Sequence, residues 1–293
     1  MNSWDDTNAA LRRIADRQIF FVGGAPRSGT TWLQQIIDSH PNACCKGEGL
    51  FSKNLFPLLE AFTAQRVKDL EAKNEALFQH TKGYPLPTAG DSDFLAATVI
   101  LLALRQQADG QDYLAYGEKT PENVFLFSRF QRLFPRAKFV TIVRDPRDVL
   151  TSAWHFFRKL QPGQDDVAEK FAFIRNALPS ISEGARVALY FAQQHPEVSH
   201  LVTYERLRQD PAPAITRLFQ FLGLPVDDRI VADCLERTSF SKATGGRPAG
   251  VAQNGAFMRK GVVGDWTSTF TPAMSDLILS ELGWMFPHFG WTT

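Results

Sequence analysis

Cysteine is scarce: the 293 residues hold three, two of them adjacent at Cys44 and Cys45. An odd, clustered set is a poor disulfide framework, so the fold must rest on its core. The same scarcity points to a reducing compartment, and the thiols read as buried. No Cys/His spacing fits a zinc site. There is no run of about 18 apolar residues, which argues against a membrane-spanning helix. The opening Met1–Arg17 has acids where a signal peptide has basic residues, and no apolar stretch follows, so no secretory leader is expected. Net charge is lacking too, with 32 Lys+Arg against 31 Asp+Glu. A general nucleic-acid or membrane-surface binder carries a large positive surplus, and a formal charge of +1 argues against that class. Internal repeats, low-complexity tracts and a Pro/Ser linker are also missing. The expectation is a soluble, cytoplasmic protein folded as a single domain over residues 1–293.

What is present is an ordinary globular composition, 44% hydrophobic and 22% charged, with an unusual 24 Phe. Short apolar runs alternate with helical stretches. Ile19–Gly23, Lys138–Val143 and His200–Tyr204 read as buried strands. Leu114–Tyr116 reads as a further strand edge leading into Gly117-Glu118-Lys119-Thr120-Pro121. Thr30–Asp38, Arg144–Leu160, Glu169–Gln194 (one helix or two) and Ala212–Leu222 have helical spacing. Residues 52–112 read as helical, interrupted by a turn-rich segment at Gly83–Asp93. Strands alternating with helices predict an α/β fold, a P-loop-like central parallel sheet flanked by helices, with helical insertions. Residues 238–264 stand apart. They contain Lys242, Arg247, Arg259 and Lys260, several glycines and no acid, and read as a mobile basic stretch.

The strongest local signal is the run from Phe20 to Trp32, in which a strand enters Gly24-Ala25-Pro26-Arg27-Ser28-Gly29-Thr30-Thr31 and then a helix. Uncapped N–H groups at a helix N-terminus, with the macrodipole behind them, attract an anion. Arg27 adds charge, and Thr30 and Thr31 add hydroxyls. The run nearly fits the P-loop pattern, but Thr30 occupies the lysine position and the cation moves to Arg27. Phosphate binding without nucleotide-triphosphate hydrolysis is the reading; a merely capped helix is the structural alternative. A second cation, Arg144, ends the strand Lys138–Val143, where α/β sheets bind ligands. Ser152 follows about two helical turns later and faces the same side. Taken alone, an Arg144–Asp148 surface pair explains that segment. Two separated cationic strand ends instead suit a ligand with two separated phosphates.

These residues resemble the sulfotransferases that use 3′-phosphoadenosine 5′-phosphosulfate (PAPS). Pro26 to Trp32 is similar to their 5′-phosphosulfate loop, and Arg144 to Ser152 to their 3′-phosphate motif. Val202-Thr203-Tyr204-Glu205, Phe221-Leu222-Gly223, Arg237-Thr238-Ser239-Phe240 and the run Phe257 to Trp266 match in order and spacing. The resemblance places the cofactor core at roughly 19–48, 113–160 and 200–272, with acceptor and lid segments at roughly 50–112 and 155–190. It implies that Arg27, Ser28, Gly29, Thr30 and Thr31 hold the 5′-phosphosulfate. Trp32, Tyr204, Thr238 and Phe240 would surround adenine. Arg144, Ser152, Arg259, Lys260 and Gly261 would hold the 3′-phosphate, and Phe257 and Met258 are implied to bind the cofactor too. PAPS is the implied co-substrate, adenosine 3′,5′-bisphosphate (PAP) the product, and no metal is required.

Sulfuryl transfer to a hydroxyl relies on positioning, charge stabilisation and a base. The histidine of the cytosolic Lys-Thr-His motif is replaced here, in Lys119-Thr120-Pro121, by proline. Asp38 to Glu48 instead resembles the segment of protein-tyrosine and bacterial sulfotransferases that carries a glutamate base, which implies Glu48. A buried Glu48 with a raised pKa would suit proton abstraction. Its alternatives are a helix cap or a pair with Lys46 or Lys53. Lys119 is implied, with Arg27, to stabilise charge on the transferring group. Glu118 and His155 remain alternative bases, while His40 is read as helping to end its helix. Phe51, Phe56, Phe62, Phe94, Phe156, Phe157, Phe171 and Phe173 divide between core and an apolar acceptor site. The expected activity is O-sulfation of a small, partly apolar molecule in a strongly electropositive site whose acids lie elsewhere. A P-loop kinase of a small metabolite and an inactive nucleotide-binding protein are the alternatives.

Overall fold

The computed structural model describes residues 3–161, 163, 166–253 and 256–293. Parts of three expectations therefore lie outside the described residues: 1–2 of the opening segment, 162, 164 and 165 of the acceptor segment, and 254–255 of the basic stretch.

Five parallel strands form the centre: β1 Gln18–Gly24, β2 Ala43–Cys44, β3 Ala115–Lys119, β4 Lys138–Val143 and β5 Ser199–Thr203. Their order is β2-β3-β1-β4-β5, with Phe20 opposite Gly117 on one side of β1 and Lys138 on the other. Near-continuous apolar runs are the mark of strands covered on both faces. In β1 the side chains alternate. Phe20 and Val22 pack with Leu33, Ile36, Val140, Leu218 and Phe219 on one face. Ile19 and Phe21 pack with Phe127, Phe130, Phe139 and Phe191 on the other. Phe21 stacks on Phe130 with centroids 3.9 Å apart and planes 4° apart. Each such buried ring contributes about 1.5–3 kcal/mol. This is where much of the phenylalanine goes. Phe51 and Phe56 join that core, whereas Phe62 and Phe94 stand in solvent.

Several boundaries differ from the sequence reading. β3 runs on through Glu118 and Lys119 and is internal, not an edge. Gly117 permits this because a Cβ there would sit 2.0 Å from the Phe20 ring. Tyr204 opens the short helix Tyr204–Gln209 rather than ending β5, with Thr203 as its cap. The turn-rich segment is shorter than expected, since helix Ala89–Ala108 starts at a Thr88/Asp91 capping box. The opening segment forms helix Trp4–Asp16 behind a Ser3/Asp6 capping box. Residues 167–194 form one helix despite the internal Pro179.

The connection after β1 leads towards β2 and β3, and the connection after β4 leads towards β5. The chain therefore diverges between the carboxyl ends of β1 and β4, the crevice where open α/β sheets bind ligands. Gly24 lies opposite Ile142 there, so the loop after β1 and Arg144 after β4 are neighbours.

Candidate active site

Past β1 the loop turns tightly, with the Ser28 N–H donating to Ala25 O at 3.0 Å. Gly29 has φ +106, and a Cβ there would lie 2.8 Å from Tyr204 Cδ2. Only glycine lets the loop lie against that ring. Helix Thr30–Asp38 starts at Gly29 without a side-chain cap, which leaves its N-terminus open to an anion. Arg27 takes φ 72 and reaches across the crevice. Its Nε donates to Ser152 Oγ at 3.2 Å and its Nη2 to Phe257 O at 2.6 Å. Its guanidinium lies 4.9 Å from the Phe156 ring and 4.6 Å from Phe257. Burial, and then the nearby Arg144, lower its pKa.

The facing wall is built around Arg144. Its Nη2 donates to Val262 O at 3.0 Å and sits 3.4 Å from Asp148 Oδ2, and its guanidinium covers the Tyr204 ring at 4.2 Å. The Asp148 carboxylate also accepts from the Gly264 N–H at 2.8 Å and the Trp266 N–H at 3.0 Å. The Arg144–Asp148 contact is thus a buried pair that fastens the 259–266 segment, not a surface pair. Arg259 and Lys260 both reach the carboxylate of Asp265. Burial and Arg144 lower the pKa of Arg259 as well. The basic stretch folds back on itself: Gly250 N–H donates to Lys260 O at 2.9 Å and Gln253 N–H to Arg259 O at 3.1 Å. Arg247 is not among the cleft's walls and instead donates to the carbonyls of Met258 and Arg259. At the far end Trp32 Nε1 donates to Thr238 O at 3.0 Å, and its ring meets Tyr204 edge-on with centroids 5.6 Å apart.

One cleft therefore gathers Arg27, Gly29 to Trp32, Arg144, Ser152, Tyr204, Thr238, Phe240 and Phe257 to Gly261. Ser28 is not among its walls; its side chain is buried beneath the loop. Beside the cleft, Lys119 Nζ lies 2.5 Å from Glu48 Oε1 and 3.3 Å from Thr31 Oγ1. Lys119 is buried and Glu48 is 41% exposed, so the expectation of a buried Glu48 is corrected. Neither expected alternative partner holds Glu48, for Lys46 pairs with Asp38 and Lys53 with Glu122.

The sulfotransferase domain model matches residues 16–279, nearly the whole chain. The chain belongs to the sulfotransferase family. It is similar to cytosolic sulfotransferase 17 of Arabidopsis thaliana, 32% identical over 87% of this chain and 70% of the relative. Sulfotransferase 1C2 of Rattus norvegicus is 26% identical over 86% of this chain and 77% of its own. The match to bovine sulfotransferase 1A1, at 30% identity, spans about half of each protein. In structure it is similar to mouse SULT7A1 complexed with PAP, with TM-score 0.58, 17% identity, and coverage of 96% of this chain and 89% of that one.

In this sulfotransferase the crevice fits a polyanionic nucleotide by its own composition. Arg27, Arg144, Arg208, Arg259 and Lys260 face Asp148 and Asp265, so cations outnumber carboxylates. Arg27 and Arg259 both have their pKa lowered by burial and then by Arg144, a crowding of like charges that an anion would relieve. Asp148 and Asp265 correct the expectation that the acids lie elsewhere. Arg208, with its guanidinium 5.7 Å from the Trp32 ring, is a wall residue the sequence reading missed. Its only signal was its place four residues after Tyr204. His155 places Nε2 3.3 Å from Thr269 Oγ1, off the cleft. His40 is buried and joins the Asn42 N–H to Pro225 O. Cys44, Cys45 and Cys234 are free and buried. Among the described residues, no helix is long and apolar enough to cross a membrane.

Proposed function

We propose that this sulfotransferase moves the sulfuryl group of PAPS to a hydroxyl of a small, partly apolar acceptor, with Glu48 as the base. The observation that carries this reading is the Lys119–Glu48 contact of 2.5 Å beside Thr31 at the mouth of the phosphate loop. PAPS supplies an activated sulfuryl group. Arg27 and the first turn of helix Thr30–Asp38 would hold its phosphosulfate. Arg144, Arg259, Lys260 and Gly261 would hold the 3′-phosphate, and Trp32 and Tyr204 the base. Glu48 is half in solvent, where an entering hydroxyl can meet it. As the acceptor oxygen bonds to sulfur, its proton passes to the Glu48 carboxylate and the bridging oxygen leaves with PAP.

Lys119 has three N–H donors and spends two on Glu48 and Thr31, which leaves one for the leaving oxygen. With Arg27 it would stabilise charge developed in the transition state. The partly apolar character of the acceptor rests on Phe156, whose ring lies against Arg27 outside the walls of the nucleotide cleft. The cytoplasmic placement rests on the free thiols and on the relative described as cytosolic.

The test is an acceptor screen with sulfur-labelled PAPS. The expected result is acceptor-dependent transfer of label with equimolar release of PAP. Transfer of phosphate from ATP with magnesium, and none of sulfate, would overturn the reading in favour of a kinase.

A further inference from the structure

We propose that Glu118 is a positioning residue that aims Glu48 at Lys119. This rests on the reading of Glu48 as the base. Glu118 and Lys119 are successive residues of β3 and so point to opposite sides of the strand. Lys119 faces the phosphate loop. Glu118 faces the other way, is 4% exposed, and is not among the walls of the cleft.

Its carboxylate is engaged three times. Oε1 accepts from the Gly49 N–H and from Thr120 Oγ1, each at 2.6 Å, and Oε2 accepts from Asn123 Nδ2 at 2.6 Å. Asn123 Nδ2 also donates to Val22 O at 3.0 Å, in the strand that enters the phosphate loop. Gly49 is the residue after Glu48. The segment around it is laid along the end of β3 by two further contacts. The Lys119 N–H donates to Gly47 O at 3.2 Å, and the Leu50 N–H donates to Thr120 Oγ1 at 3.4 Å. Leu50 then takes the left-handed φ of 51, which turns the chain into helix Phe51–Asn54.

Glu48 is thus held on both sides by backbone bonds to residues 118–120, while its own side chain is left to meet Lys119. Gly49 contributes no side chain, and its N–H bond to Glu118 is the shortest of the three bonds that set this stretch against the strand. A partly exposed carboxylate on a loop reaches a productive geometry only when a second layer of bonds locks that loop. A buried carboxylate that collects three donors supplies such a lock.

The experiment is a double-mutant cycle with Glu118→Gln and Glu48→Gln, read by kcat, by the KM for PAPS and by the Kd for PAP. The amide that Glu118→Gln introduces brings donors of its own against those of Gly49, Thr120 and Asn123, and loosens the loop. The expected result is a kcat lowered by about 10-fold in Glu118→Gln, with KM and Kd kept within about twofold. In the Glu48→Gln background the same change should alter kcat by less than about twofold, because the group it positions is gone. Full activity of Glu118→Gln beside an impaired Glu48→Gln would overturn this proposal alone. So would an equal loss from Glu118→Gln in both backgrounds. Full activity of Glu48→Gln would overturn the base assignment itself, and the proposal with it. Should Glu118→Gln not fold, Thr120→Val removes the hydroxyl between Glu118 and Leu50. It should lower kcat about threefold with PAP affinity kept, and an unchanged kcat would overturn the proposal.

Discussion

Lys260 Nζ lies 2.7 Å from Asp265 Oδ1, and Arg259 reaches the other oxygen of the same carboxylate. Two cations are thereby held side by side on the wall of the crevice opposite Arg27. If that wall receives the 3′-phosphate, Arg259→Ala should weaken PAP by about 10- to 100-fold, the worth of one or two charge-assisted bonds. Adenosine 5′-monophosphate has no 3′-phosphate, and its affinity should change little. Calorimetric titration of both nucleotides checks this, and equal losses for the two would remove Arg259 from the 3′-phosphate.

Gly261 has φ +66, and a Cβ there would sit 2.3 Å from the Phe240 ring. Gly261→Ala should cost about 1 kcal/mol or more and lower the melting temperature by about 2 °C or more. PAP affinity should fall with it, since Phe240 and Gly261 line one cleft. A melting curve and a titration on one sample read both effects, and unchanged affinity would contradict the assignment.

The sheet was legible because parallel strands buried on both faces are short, continuous apolar runs, as in Lys138–Val143. β2 has two residues, too few for any pattern to show. Helix Trp4–Asp16 is largely polar and was not read from the sequence; the Ser3/Asp6 capping box was the signal it carried. The loop Arg27 to Trp32 was legible because strand, turn and helix are contiguous in the chain. Asp148 and Asp265 were not, because their significance lies in contacts that tertiary folding creates. The Glu48–Lys119 pair joins residues 71 apart in sequence, which no local pattern encodes.

Burial pushes the Glu118 carboxyl above its ordinary 4.5, against the pull of Thr120, Asn123 and Gly49. An acid whose folded pKa is raised gives stability that is fully present below the unfolded value. That contribution is lost as pH rises through the folded value. Glu118→Gln has no such titration. The parent should therefore lose stability relative to this variant as pH rises from about 4 towards 7. Urea unfolding of both across that range checks the sign, and a relative gain by the parent would contradict it.

Burial pushes the Cys44 thiol up to about 11 and raises Cys45 and Cys234 as well. A protonated, buried thiol is a poor nucleophile. At about pH 8 a thiol reagent should label none of the three in the native protein and all three after denaturation. Mass spectrometry counts the adducts, and rapid native labelling of Cys44 or Cys45 would contradict their burial.

Glu48, held against Lys119, is proposed to take the acceptor's proton. This role is tested most directly by the steady-state kinetics of Glu48→Gln, once the acceptor screen has supplied a substrate. Turnover should fall by about 10²–10⁴-fold with PAP affinity kept within about twofold. Undiminished turnover in Glu48→Gln would contradict this role.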